Sequence, residues 1–174
     1  MEQEKIIERD LDNIPTKTPK PAFDASAYEG KKVQIDKVEE IEAIDRFVKW
    51  NPELKIWEST DKPNPESTKK IHQIKVTTKP LKKVNEDGTY SDELYEFKDD
   101  VSGEVKHIQL SETFNLKEDN GEWIISKHPK AKLWKFMRKM GVEKLSELKD
   151  KYVTLKTEPS NNPNDDREYL RIIL

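Results

Sequence analysis

Three turn signals, Asp87-Gly88, Ser102-Gly103 and Asn120-Gly121, constrain this chain more than any other feature. Dipeptides of this kind favour tight reversals between strands, because glycine takes positive φ without steric cost. The segments they separate are rich in β-branched and aromatic residues. Ile71–Leu81 places Ile74, Val76 and Thr78 on one face. Glu93–Lys98 carries Tyr95 and Phe97, and Val105–Leu116 carries Ile108, Leu110, Phe114 and Leu116. Trp123-Ile124-Ile125 is a short strand after the third turn. A meander of antiparallel strands is the natural reading.

Upstream, residues 31–44 read as one long strand. Val33 and Ile35 alternate, but Val38 and Ile41 break the period of two, so a bulge is expected between Ile35 and Val38. A helix over residues 38–47 is the competing reading, since Val38, Ile41, Ile44 and Val48 also match helical spacing. Residues 45–70 then form a long excursion whose prolines (Pro52, Pro63, Pro65) end regular structure. Residues 1–28 lack periodicity and carry Pro15, Pro19 and Pro21, which suits a flexible tail. Ile6, Ile7 and Leu11 there would form at most a short helix. The folded domain is expected over 29–174.

The C-terminal third has the clearest pattern. Leu133, Phe136, Met137 and Met140 fall at i, i+3, i+4 and i+7, one apolar stripe of a helix. Ser126 is the expected N-cap, Pro129 suits the first turn, and Gly141 ends the helix. A second short helical turn follows over 142–148. Tyr152–Thr157 and Tyr169–Leu174 are the last two strands, with Val153 and Leu155 inward. The expected class is mainly β (α+β): an OB-like five-stranded Greek-key barrel with one amphipathic helix before the last two strands. A different α+β sheet competes with it.

Composition narrows the function classes. Apolar residues make up 33% of the chain and charged ones 39%, so a modest core and a large solvated surface are expected. There is no run of about 18 apolar residues and no apolar signal core, so a soluble, cytoplasmic protein with no membrane contact is expected. With no cysteine, disulfides and thiolate metal sites are excluded. His72, His107 and His128 lack paired metal-ligand spacing. Five glycines supply no phosphate-cradling loop, and no nucleophile elbow is present. No cofactor and no catalytic activity are expected. The net charge of −3 conceals blocks: +4 over residues 31–83, −9 over 84–122 and +5 over 123–174.

Aromatics among lysines are the most suggestive chemistry. Trp50 and Trp57 lie in the excursion with Lys49, Lys55, Lys62, Lys69 and Lys70, and Lys75 sits on the strand that follows. Single-strand binders combine a basic groove for the backbone with exposed aromatics on which bases stack. The plainer reading has Trp57, with Leu54 and Ile56, packing the excursion onto the barrel. Lys135, Arg138 and Lys139 share one helix face, which is either a phosphate contact or an ordinary solvated face. Arg167, with Asn161 and Asn162, would add polar contacts from the last hairpin loop.

A resemblance adds to this. The chain runs Phe114-Asn115-Leu116, Trp123-Ile124-Ile125-Ser126, Leu133-Trp134-Lys135-Phe136, Gly141-Val142, Lys151-Tyr152-Val153-Thr154-Leu155 and Tyr169-Leu170-Arg171-Ile172. That third of the chain resembles OB-fold single-stranded-DNA-binding proteins of phages and archaea. There, a helix with a Leu-x-x-Phe stripe and a glycine precedes a Lys-x-Val-x-Leu strand. The resemblance implies single-stranded DNA or RNA as partner, in DNA replication or repair. The chain ends Arg171-Ile172-Ile173-Leu174 instead of the acidic tail of bacterial single-strand binders, so recruitment of partners through such a tail is not expected. The alternative is a protein–protein adaptor or structural virion component that uses the acidic 84–122 surface.

Overall fold

The structure, a computed structural model, describes residues 4–16 and 23–174. Its strands, in chain order, are β1 (Lys32–Ile44), β2 (Val48–Asn51), β3 (Ile56–Ser59), β4 (Lys70–Thr78), β5 (Lys82–Val84), β6 (Tyr90–Leu94) and β7 (Glu96–Lys98). They continue as β8 (Val105–His107), β9 (Ser111–Asn115), β10 (Lys117–Asp119), β11 (Glu122–Ile124), β12 (Tyr152–Pro159) and β13 (Glu168–Ile172). The single α-helix among the described residues, α1 (Lys132–Met140), precedes the last two strands. Five strands form one antiparallel sheet in the order β13-β12-β1-β4-β9. The remaining eight pair as separate two-stranded hairpins: β2–β3, β5–β6, β7–β8 and β10–β11.

The bulge read from the sequence is present. Ile35 pairs with Thr78 and Lys37 with Thr77, leaving Asp36 as the extra residue. Without it, strict alternation would turn Lys37 and Glu39 toward the core. With it, Val33, Ile35 and Val38 all face inward, opposite Val153, Thr78 and Val76. The long strand is therefore correct and the helical alternative over 38–47 is not. β1 pairs with β12 only over Lys32–Gln34 and with β4 over Ile35–Ile44.

The core lies between this bent sheet and α1. Ile35, Val76, Phe114, Phe136, Met137, Leu148, Val153, Leu155 and Ile172 are all buried. Phe136 of α1 stacks on Phe114 of β9 with ring centroids 5.2 Å apart. The apolar stripe thus does what its spacing predicts. The helix start differs: it begins at Lys132 behind Ala131, with no side-chain cap. Ser126 instead accepts the His128 amide at 3.3 Å, and the His128 carbonyl accepts the Ala131 amide, so Ser126 and Pro129 belong to a turn ahead of the helix. Gly141 closes the helix at φ 70°, where its amide bonds the Arg138 carbonyl.

The sheet is not closed into the expected barrel: no ladder joins its two edge strands, β9 and β13. Side chains meet there instead. Arg171 of β13 reaches Glu112 of β9 at 3.2 Å and Glu158 of β12 at 3.2 Å. Packing also begins earlier than residue 29. A 3-10 turn at Ala25–Tyr28 buries Ala25 and Tyr28, and Phe23 stacks on Tyr28 at 5.3 Å. Of the expected tail, residues 1–3 and 17–22 lie outside the described residues. Within residues 4–16 the only regular turn is at Leu11–Asn13, and Ile6, Ile7 and Leu11 are exposed.

Two outcomes test this packing. Replacing Phe136 with alanine removes a fully buried ring and should lower unfolding free energy by about 3–5 kcal/mol, read from urea denaturation followed by circular dichroism. The second concerns Tyr28, whose hydroxyl donates to the Lys82 carbonyl at 2.6 Å. Burial, with Tyr90 and Tyr95 nearby, raises its pKa to about 12. An unfolded tyrosine ionises near 10. The folded state thus favours the neutral phenol, and that stabilisation is whole below about pH 10 and lost as pH rises to about 12. In Tyr28→Phe, urea midpoints should fall less steeply across this window than in the unaltered chain.

Candidate nucleic-acid interface

The sheet has a continuous outward face. On β4 it presents Gln73, Lys75 and Thr77, whose partners on β1 are Ile41, Glu39 and Lys37 and on β9 Asn115, Thr113 and Ser111. None of these nine is buried. Alternation places them opposite the core residues Ile74, Val76 and Phe114. Because of the bulge, Lys32 and Gln34 lie on the same outward face, joined by Tyr152, the partner of Gln34. Lys75, one of the expected contacts, sits at the middle of this face.

The excursion is not a loop. β2 and β3 form a hairpin in which Trp50 is paired directly with Trp57, ring centroids 5.1 Å apart at 59°. The Asn51 side-chain oxygen Oδ1 accepts the Glu53 and Leu54 amides at 3.0 and 3.1 Å, and Lys55 closes the turn at φ 54°. The returning chain is tied down by Asn64, which donates to the Val48 carbonyl, and by Arg46, which donates to the Pro65 carbonyl. Trp57 packs on Trp50 itself. A cross-strand aromatic pair of this kind stabilises a hairpin that has no further strand beside it. Trp50 keeps 43% of its surface exposed and lies between two shallow hollows of about 290 and 340 Å³. Lys49 lines both, but so do Glu53, Glu58 and Glu66 between them. The hairpin therefore offers a stacking surface with little excess positive charge. It extends from the end of β1 that is farthest from Lys32.

The other expected cations are dispersed. Lys55 is at the hairpin turn, and Lys69 precedes β4 with its carbonyl accepting the Asp45 amide. Lys70 is paired with Glu42 at 3.3 Å. Lys135, Arg138 and Lys139 are on α1, which packs on the inward side of the sheet through Phe136 and Phe114, so they do not share a surface with Lys75. Arg167 is held by both oxygens of Asp165, at 2.9 and 3.0 Å, and lies 5.8 Å from the Tyr169 ring. That guanidinium, with the Tyr169 hydroxyl, holds the Asp165 carboxyl well below the usual carboxylate range. Arg167 is neutralised where a phosphate would need it.

The acidic stretch 84–122 spends two carboxylates on its own turns. Asp87 accepts the Thr89 hydroxyl and amide, and Asp99 accepts Lys106 at 2.7 Å and the Val101 amide at 2.8 Å. These bonds lower both carboxyl pKa values. Among the described residues no three His, Asp or Glu side chains converge as a metal site, and no helix is long and apolar enough to cross a membrane.

One feature was not read from the sequence. Lys32, Val33, Gln34, Lys79, Pro80, Leu81, Lys82, Tyr90 and Tyr152 line a cavity of about 410 Å³. The signal was there as three lysine-bearing segments, Lys31-Lys32, Lys79-Pro80-Leu81-Lys82 and Lys151-Tyr152. They are too far apart in sequence for any spacing rule to join them. No family model, no curated protein and no solved structure matches this chain.

Proposed function

We propose that this protein is a non-catalytic binding module for single-stranded nucleic acid, with the strand lying along the outward face of β1, β4 and β9. The observation that carries the reading is the continuity of that face. It runs from Lys32, Gln34 and Tyr152, past Lys37 and Thr77, to Lys75 and Gln73. The half-exposed Trp50 lies on the hairpin beyond its far end. At about 3.3 Å per residue, the 13 residues of β1 span roughly 40 Å, a length that suits the ~4–16 nucleotides a barrel of this type accommodates.

The topology supports an OB-like assignment. Taken in chain order, the five sheet strands neighbour one another as fifth, fourth, first, second, third, and the helix falls between third and fourth. In a five-stranded Greek-key barrel of the OB type, the face of the second and third strands binds single strands. Those strands are β4 and β9 here. Amides and hydroxyls on this face, with few cations, favour hydrogen bonds and a small number of phosphate contacts, and stacking falls to the exposed rings of Tyr152 and Trp50 at its two ends. The adaptor reading through residues 84–122 has less support, because Asp87 and Asp99 are engaged within their own turns.

Tryptophan fluorescence titrated with oligo-dT at two salt concentrations tests the proposal. Quenching is expected, and Trp50→Phe should remove part of it. Trp50→Ala should cost about 1–3 kcal/mol of binding free energy. Three or so lysine–phosphate contacts would give a slope of roughly −2 in log K against log salt. Absence of both quenching and gel retardation at low salt would overturn it.

A further inference from the structure

We infer that the lysine–tyrosine cavity is a nucleotide subsite, taking one phosphate together with the unpaired base attached to it. This deepens the single-strand reading and rests on it for the polymer, placing one anchored nucleotide at the Lys32 end of the outward face.

Charge is the first argument. Three lysines line the cavity and no carboxylate does. Lys32 and Lys82 form no ion pair among the described residues, so their ammonium groups are available to an anion. Lys79 donates to Gln34 Oε1 at 2.7 Å and lies 3.8 Å from an exposed Asp150 oxygen, which leaves it a further N–H to offer. The Trp50 hollows differ in this respect, since glutamates line both.

Pre-organisation is the second. The Tyr28 hydroxyl donates to the Lys82 carbonyl at 2.6 Å, and the Tyr90 hydroxyl donates to the Lys32 carbonyl at 2.9 Å. Two phenols thus fix the backbone of two cavity lysines from below. Lys31 lies 5.7 Å from the Tyr90 ring and donates to the Gly88 carbonyl, which ties the β5–β6 turn to the same wall. Gln34 is held at both ends, accepting Lys79 and donating to the Asp150 carbonyl at 3.0 Å. A fixed backbone wall around a cavity lowers the ordering cost of binding, leaving only the lysine side chains to be ordered.

The aromatic component selects the ligand class. Tyr152 is 60% exposed although it sits within the sheet beside the cavity. A phosphate alone makes no use of an exposed ring, and neither does an acidic peptide, whereas a base stacks on it. The cavity volume of about 410 Å³ is in the range of small-molecule sites. The same chemistry fits a strand's nucleotide and a free mononucleotide, and the two differ in how affinity depends on length.

The chain of 174 residues and a fluorescein-labelled oligo-dT of about twelve nucleotides provide the test, with Tyr152→Ala, Tyr152→Phe and the double variant Lys32→Ala/Lys82→Ala. All three positions are exposed, and unchanged thermal unfolding checks that the variants fold. Tyr152→Ala should weaken binding by about fivefold or more and Tyr152→Phe should not. The double lysine variant should reduce the salt slope by roughly 0.7, the share of the one phosphate held there. A parallel titration with dTMP, followed by amide shifts, reads the cavity directly.

Oligonucleotide binding that none of the variants alters overturns the subsite and leaves the single-strand reading standing. Displacement of the oligonucleotide by polyglutamate as effectively as by dT overturns it too, since that behaviour needs charge only. Amide shifts at Lys32, Lys82 and Tyr152 with dTMP, without oligonucleotide binding, support the subsite as a mononucleotide site and remove the strand. Affinity that rises with oligonucleotide length supports the strand. Silence in both titrations overturns both.

Discussion

The extra residue at Asp36 is the constraint on which the rest of the sheet depends. β1 must satisfy two partners in succession, β12 through Lys32–Gln34 and β4 from Ile35 onward. A single straight strand cannot turn from one to the other while keeping its apolar residues on one side. The bulge supplies both a bend and a change of phase. Inward, it keeps Val33, Ile35 and Val38 in the core. Outward, it puts Lys32 and Gln34 on the same surface as Lys37 and Lys75. One inserted residue therefore sets both the hydrophobic packing and the continuity of the candidate binding face.

At the Lys32 end, aromatic packing takes over from ladder hydrogen bonds. Phe23 contacts both Tyr28 and Tyr95, and Tyr28 lies 6.4 Å from Tyr90. These rings pack together at one end of the sheet, and the Tyr28 and Tyr90 hydroxyls are spent on the carbonyls of Lys82 and Lys32. The residues that plug the core thus also position the cationic cavity above it. At the opposite end, the inward side of β1 and β4 becomes polar. His72 lies between Glu40 and Glu42, at 3.2 and 3.5 Å, and stacks on Trp123 at 4.7 Å. The core stops there because the apolar alternation of β1 stops at Val38.

The parts of this fold that were legible in the sequence are those fixed by local periodicity. The break between Ile35 and Val38 located the bulge, and Leu133, Phe136 and Met137 located the helix and its buried side. Three glycine turns located three hairpins, but these pair two by two and do not build the expected meander, since β4 is flanked by β1 and β9. The β2–β3 hairpin was missed because its turn contains no glycine. Asn51 builds it with a side-chain acceptor, and Lys55 takes the positive φ. Helical spacing grouped Lys135, Arg138 and Lys139 correctly, yet which side of the sheet the helix covers is a tertiary fact. The cavity was illegible for the same reason: β1, the segment after β4, β5, β6 and β12 each contribute, and they belong to two different sheets that only tertiary packing brings together.

The open seam between β9 and β13 raises a different question, since unpaired strand edges invite other chains to add on. Arg171 answers it in part. Its guanidinium spans from β13 to Glu112 on β9 while also holding Glu158, so a three-charge cluster lies across the gap that a ladder would otherwise close. An exposed ion pair contributes little to stability, about 0–1 kcal/mol. Its more useful effect is exclusion. An incoming strand would have to separate Arg171 from two carboxylates and leave charges unpaired at the edge. Side chains thus protect a seam that no ladder closes, while the outward face of β1 and β4 is held by its own ladder.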